Sequence, residues 1–333
     1  MINYMKKFFF LLLVLFFSYS VSYSQDDDMG QKLQNIGQSY AIKYLEPFTT
    51  GIGMNLNSGF LGGFKPGGYS KIPIMPHVWA GIKFCGVVME DKDKMFNLSY
   101  NDKIKVRNPI TGQEQYVDAT FQVLNAPTVF GDTKPAVATA SYTNPYTGQQ
   151  ETKQQEIVGG LGDSKFVFLF IPQVGVGTIL GTDLILRMVP GISVGNYGSF
   201  MLFGGSIRHN LGGWIKNMPL DIAVQLGYQN FGIKNNNDAK IISANTMFAG
   251  IQFYKTFPII SVYGGVQYEN YSVDVNYNYT FNGIKNSISF NQKGDNSFRF
   301  IGGATITVGP VMFNADANFG SKFVLTTGLG VGF

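Results

Sequence analysis

The chain has 333 residues, of which only 14% are Asp, Glu, Lys or Arg, and it carries 41 glycines, 29 phenylalanines and 18 tyrosines at a formal net charge of +4. Typical soluble proteins are roughly 25% charged, so this composition excludes disorder, which needs low hydrophobicity and high charge, and it supplies no basic stripe for nucleic acid. One cysteine, Cys85, and two histidines, His77 and His209, rule out an intramolecular disulfide and leave no thiolate or histidine-rich metal set, so no cofactor is expected.

At the N-terminus, Lys6 and Lys7 precede an apolar run from Phe8 to Phe17 and a serine-rich stretch to Ser24, the three regions of a secretory signal peptide over residues 1–24. Gln25 follows rather than a cysteine, so no lipid anchor is expected there. Asp26 to Asp28 then cap a predicted helix in which Leu33, Ile36, Tyr40 and Tyr44 keep helical spacing, and Pro47 is expected to stop it after Glu46. The glycines between Gly51 and Gly68 permit tight turns. Residues 25–70 therefore read as a hatch, its helix either lodged in a barrel lumen or packed beneath the barrel floor.

From residue 71 to the C-terminus the dominant period is two. Leu220 to Tyr228 alternates Leu, Ile, Val, Leu and Tyr with Asp221, Ala223, Gln225 and Gly227, as a half-buried strand does. The same pattern sets Tyr271, Val273 and Val275 against Ser272 and Asp274, and sets Val311, Phe313 and Phe319 against Met312, Asn314, Asp316 and Asn318. The polar face carries Gly, Ala, Ser, Asn and single charges in place of the Lys and Glu of a solvated sandwich face, which suits a crowded interior. An apolar-out, polar-in barrel satisfies both observations, because closure leaves no edge for lipid to desolvate. The predicted class is an all-β, antiparallel, up-and-down transmembrane barrel. Between 91 and 163 the charge density rises, and two near-copies of one turn, Asn108 to Gln113 and Asn144 to Gln149, mark hairpins. Counting both as wall gives about 14 strands, and omitting one gives 12.

The alternation turns Asp183, Arg187, Arg208, Asp221, Arg299 and Asp316 inward as a lumenal polar network, expected to pair with one another or with the plug. An inward Arg also suits the carboxylate of an amphipathic anion. Phe60, Phe64, Tyr69 and Trp79 are candidates for an apolar pocket beside the hatch. Tyr197, Phe200, Trp214, Tyr228, Phe231, Tyr254 and Phe257 stand at strand ends as interfacial aromatics. His209 lies too close in sequence to Ser206 to form a nucleophile and base pair, and no other set of catalytic residues is found, so no enzyme is expected.

The signal peptide, the repeated amphipathic strands and the terminal Phe333 together resemble the outer-membrane barrels of Gram-negative bacteria. That resemblance implies residence in outer-membrane lipid and recognition of the strand ending at Phe333 by barrel-assembly machinery. The stretch FTTGIGMNLNSGFLGGFKPGG from Phe48 to Gly68 resembles an uncharacterised family of Bacteroidetes outer-membrane proteins, with further matches at Pro127 to Gly131 and Pro172 to Pro190. It departs from that family at Gly59, Phe60 and Leu61, where an aromatic pair is expected, and at Gly67, where a histidine is expected. The layout is similar to that of long-chain fatty-acid channels, which implies passive entry of a small hydrophobic or amphipathic compound past the hatch. The alternative is a non-transporting barrel that serves secretion or gliding machinery as scaffold.

Overall fold

The computed structural model of the chain describes residues 38–63, 77–162, 164–177, 181–193, 198–211, 219–235, 239–281, 284–294 and 298–332. The signal segment, the proposed aspartate cap, Phe64, Tyr69, Tyr197, Trp214 and Phe333 lie outside the described residues. Two compact units result. The first takes the chain up to Phe48 together with Met89–Lys165 and Tyr277–Phe290, and the second takes Thr49–Val88, Phe166–Asn276 and Asn291–Phe333.

A helix, α1, runs over Gln38–Leu56 and contains Pro47, so the expectation that Pro47 ends the helix is corrected. Proline removes one intrahelical hydrogen bond and crowds the carbonyl four residues back, at a cost of about 3 kcal/mol. Tertiary burial on both sides offsets that cost. Before Pro47, Tyr40 and Tyr44 are fully buried, and after it Met54 and Leu56 are too. Gly51 and Gly53 are helical rather than turn residues. At Gly53 a Cβ would overlap the Tyr271 ring, so the glycine is required by close approach.

The first unit contains a four-stranded antiparallel meander of β2 (Met95–Arg107), β3 (Glu114–Pro127), β4 (Val137–Thr143) and β5 (Gln150–Glu156). Its core joins Tyr40 and Tyr44 to Val123, Ala126, Ala138 and Ile157. The Tyr40 hydroxyl donates to the Val158 carbonyl at 3.3 Å and the Tyr44 hydroxyl to that of Gly159 at 3.1 Å, which satisfies both buried phenols. The two similar turns close the hairpins as expected: Asn108 Oδ1 accepts from Ile110 N at 2.8 Å and Asn144 Oδ1 from Tyr146 N at 2.9 Å. Gly112 and Gly148 take φ of 73° and 69° there.

Burial, with Asp102 nearby, pushes the Tyr100 phenol up to about 12, from an ordinary value near 10. A raised folded value means stability that is complete below the ordinary value and lost as the pH climbs through the raised one. We expect the meander to loosen as the pH rises from about 10 to about 12 and Tyr100→Phe to delay that loosening. An absorbance titration of phenolate, run beside far-ultraviolet circular dichroism, checks this, and an unchanged transition in the variant contradicts it.

The second unit is a closed barrel of ten strands. β1 (His77–Val88), β6 (Phe166–Gly177), β7 (Thr182–Ser193), β8 (Ser199–Asn210), β9 (Asp221–Lys234) and β10 (Lys240–Thr256) continue into β11 (Ile260–Phe281), β13 (Phe298–Val308), β14 (Val311–Phe319) and β15 (Phe323–Gly332). Every neighbouring pair is antiparallel. β1 lies between β6 and β15, with Trp79 opposite Gly332 and Val87 opposite Val324. The β10–β11 pairing, from Ile242 and Val275 to Thr256 and Ser261, completes the ring. β12 (Ile284–Lys293) adds to β11 alone.

The expectation of 14 or 12 wall strands is therefore corrected to ten, because 91–163 supplies a sheet of its own. Lys103, Lys105 and Arg107 project from the exposed face of β2, and β5 is exposed at all but one position. A lysine or arginine facing lipid costs about 2–4 kcal/mol at the midplane, so these strands are unsuited to the wall.

Outward positions of the barrel strands are apolar and exposed: Phe168, Leu184, Met188, Phe203, Ile207, Leu226, Met247, Val262, Phe300, Phe313 and Leu329 are examples. Inward positions are buried and mix polar side chains with apolar ones such as Trp79, Ile185, Phe248, Ile301 and Met312. The predicted faces of β7, β8, β9 and β14 are those observed. One face is reversed: Tyr271, Val273 and Val275 are buried rather than lipid-facing. They belong to the same long strand as Tyr263 and Gln267, and the odd positions of that strand point inward throughout its described length. Phe231 and Tyr254 are also buried and are not interfacial, whereas Tyr228 and Phe257 are about half exposed.

Candidate functional site

The lumen is occupied by the end of α1 and the segment that follows it. From Thr49, which bonds to Gln292 at one end of the barrel, the chain passes Leu56 and Ser58 at mid-height and reaches Gly62 and Gly63 beside Lys83 and Thr305. Gly59, at φ 76°, makes the bend. Of the two placements expected for the hatch, the segment from Thr49 to Gly63 occupies the lumen.

Arg187 is the central contact. Its Nε donates to Gln173 Oε1 at 3.1 Å, Nη1 to Leu56 O at 3.2 Å and to Gln229 Oε1 at 3.3 Å, and Nη2 to Ser58 O at 2.9 Å. The guanidinium carbon lies 3.3 Å from the Phe60 ring centre, a cation–π contact. Cations at a helix C-terminus meet its unsatisfied carbonyls and the negative end of its dipole, and Arg187 does this from the wall. Arg299 acts in the same way: Nη2 donates to Met54 O at 3.1 Å, Nη1 to the Ser58 hydroxyl, and Nη2 also to Glu269 Oε1 at 2.7 Å. Lys83 donates to Gly62 O and to Asn314 Oδ1, each at 2.7 Å.

A further ion pair lies nearer the His77 end of the barrel. Arg208 donates to Asp183 Oδ2 through Nε at 3.0 Å and Nη2 at 2.7 Å, and His77 Nε2 lies 3.2 Å from the other Asp183 oxygen. Asp316 accepts from the Tyr263 hydroxyl at 3.0 Å and from Asn318 at 2.7 Å. Of the expected network, Asp183, Arg187, Arg208, Arg299 and Asp316 are buried in the lumen. Asp221 is not among them: it is half-buried at the first residue of β9, on the inward face but at the strand end. Phe60 and Trp79 are buried together with Ile185, Phe248 and Met312, so they pack plug against wall rather than line an open pocket. His209 bonds to Thr182 across the β7–β8 pair at 2.9 Å.

The sequence reading missed Lys83 and Glu269, each of which shares the inward parity of its strand. It also missed that Arg187, Arg299 and Lys83 take main-chain oxygens of the plug among their acceptors. Beside Lys83, Trp79 and Gln173 there remains room for about one water molecule. Among the described residues there is no cluster of His, Cys, Asp or Glu able to hold a metal.

Among solved structures, the chain is similar to Pseudomonas aeruginosa OpdK with vanillate (TM-score 0.22, 9% identity, 78% of this chain and 97% of that one). It is also similar to a mutant porin of Rh. blastica (0.16, 10%, 78% and 100%) and to Salmonella typhi OmpF complexed with daunomycin (0.14, 9%, 77% and 97%). The barrel rests on its own strand pairing. No curated protein matches. The matched family, described as a family of unknown function (DUF6588), covers residues 5–333, and this chain belongs to it.

Proposed function

We propose that the protein is an outer-membrane barrel whose lumen is closed at rest by its own N-terminal segment and conducts small hydrophilic solutes when that segment withdraws. The exposed apolar belt around a closed ring supports the membrane setting, since soluble proteins rarely expose apolar patches beyond several hundred Å².

The observation that carries the channel reading is the chemistry of the wall behind the plug. Gln173, Gln225, Gln229, Gln252, Gln267, Thr246, Thr305 and Asn314 are buried there. A permanent filler is as stable against apolar side chains, because buried polar groups repay their desolvation only when fully bonded. These amide and hydroxyl groups, which share the wall with apolar contacts to Phe60 and Leu61, rehydrate when vacated. The same lining favours hydrophilic cargo over the hydrophobic compound expected from the sequence.

A second reading, a scaffold that never conducts, is favoured by the ordered meander. Its outer face sets Ser99, Gln122, Thr139 and Gln154 in one row and Asn101, Thr120, Ser141 and Thr152 in the next.

A lock separates the two. A Cβ added at Gly59 would lie 3.3 Å from Cys85 Sγ, within disulfide reach, so Gly59→Cys joins plug to wall on oxidation. In liposomes the intact protein is expected to exclude a small sugar and a fatty acid, and to pass the sugar when urea loosens the plug. The oxidised variant stays shut in the same urea and reopens with reductant. If the folded barrel passes nothing under any of these treatments, the scaffold reading stands.

A further inference from the structure

We propose that Arg187 is a binding site for a solute carboxylate, occupied at rest by the plug's own backbone. The proposal names the solute class and rests on the plugged-channel reading.

Its basis is the pairing of charges in the lumen. The buried cations are Lys83, Arg187, Arg208 and Arg299, and the buried carboxylates are Asp183, Glu269 and Asp316. Arg208 and Arg299 hold direct ion pairs with Asp183 and Glu269. Arg187 and Lys83 hold none among the described residues, and their acceptors are amide and main-chain oxygens. The plug brings no negative charge with it: from Pro47 to Met89 the sequence has no Asp or Glu.

The geometry at Arg187 is that of a carboxylate site. Leu56 O and Ser58 O sit 3.2 and 2.9 Å from Nη1 and Nη2, the two donors that a carboxylate's paired oxygens take in a bidentate contact. Gln173 and Gln229 fix the guanidinium from the wall, at Nε and Nη1. Both glutamines stay when the plug leaves. What leaves are the two carbonyls and the Phe60 ring, so the withdrawn state presents an oriented guanidinium fork whose Nη1 and Nη2 donate to water. A solute carboxylate replaces that water with two charge-assisted hydrogen bonds, which a neutral solute of the same size cannot do.

Two measurements on the full-length reconstituted protein test this. The first is the rate at which a maleimide labels Cys85, which is fully buried in the same lumen, in potassium acetate against potassium chloride plus acetamide at equal ionic strength. If acetate competes with the plug for Arg187, it speeds labelling, and Arg187→Gln abolishes the difference. At acetate concentrations about ten times its dissociation constant for the open state, labelling should be roughly tenfold faster. The second is the reversal potential of urea-opened channels in a salt gradient. Anion preference is expected in the parent and a shift toward cations in Arg187→Gln, with Lys83→Gln giving a smaller shift.

Acetate-dependent labelling in a protein that never conducts would sustain the site and remove the channel. Conduction without anion preference, together with labelling indifferent to acetate, would sustain the channel and overturn the site. Labelling indifferent to acetate in a silent protein overturns both.

Discussion

Replacing Glu269 by alanine is expected to be the most damaging single change in the lumen, at about 3–5 kcal/mol, the usual cost of stranding one member of a buried ion pair. Both side chains of the Glu269–Arg299 pair are completely inaccessible, at 2.7 Å. Glu269 also accepts from Gln267 at 2.7 Å, so its loss frees a second donor. The midpoint for loss of the compact band on semi-native gels, in detergent, should fall by many degrees. Replacing both partners, Glu269→Leu with Arg299→Met, should recover most of that loss, since buried pairs exchange for apolar residues at little or no cost. Plug retention should not recover, because Arg299 also holds Met54 O and the Ser58 hydroxyl. Faster labelling of Cys85 in a barrel of restored stability is the expected signature, and equal midpoints for Glu269→Ala and the parent would contradict the assignment.

Leu226→Arg tests the other side of the same wall. Leu226 is 65% exposed in the middle of the outward series Val224, Leu226 and Tyr228 of β9. On a soluble protein such a change shifts stability by about 0.5 kcal/mol or less. At the midplane of a bilayer it costs about 2–4 kcal/mol, falling to about 0–1 near the interface. Leu220, just before β9 and 42% exposed, provides the interfacial control. Equilibrium folding into lipid vesicles should therefore rank the parent and Leu220→Arg close together and Leu226→Arg well below. Equal values for the two arginine variants would exclude a membrane around this belt.

Much of the wall was legible in the sequence because side-chain period is local and closure is not required to see it. Asp183, Arg187 and Arg208 fall opposite Leu184, Leu186 and Ile207 by parity alone, and the structure keeps them there. Parity also held the signal for Lys83, which shares odd numbering with Trp79 and Cys85 on β1. Glu269 was lost for a different reason: the alternation of Tyr271, Val273 and Val275 was read without the residues that precede it in the same strand, so Glu269 had no face. Joined into one strand, Tyr263, Gln267, Glu269 and Tyr271 share a side, which also corrects the reversed face at Val273 and Val275. The strand number was overestimated because alternation marks any sheet with one covered face. The discriminating detail was charge on the exposed side, at Lys103, Lys105 and Arg107. The main-chain partners of Arg187 and Arg299 on the plug had no sequence signature at all, since every residue carries a carbonyl. Pro47 misled because helix propensity is a weak prior once both flanks are buried.

The path of the plug along the barrel axis constrains how the protein is made. Thr49 meets Gln292 at one end of the ring and Gly63 meets Thr305 toward the other, so the ring encircles a segment of its own chain. A ring that closed first would have to draw everything preceding Thr49 through a lumen a few side chains wide. The economical order is the reverse: the segment is laid against a still-open sheet, and the last seam closes over it. β1 and β15 are a natural seam, paired from Trp79 and Gly332 to Val87 and Val324 across nearly the whole chain. Synthesis delivers the threaded segment first and β15 last. On this route the occupant is a mould around which the ring is fitted, and a chain deprived of it should assemble slowly even where the finished ring is stable.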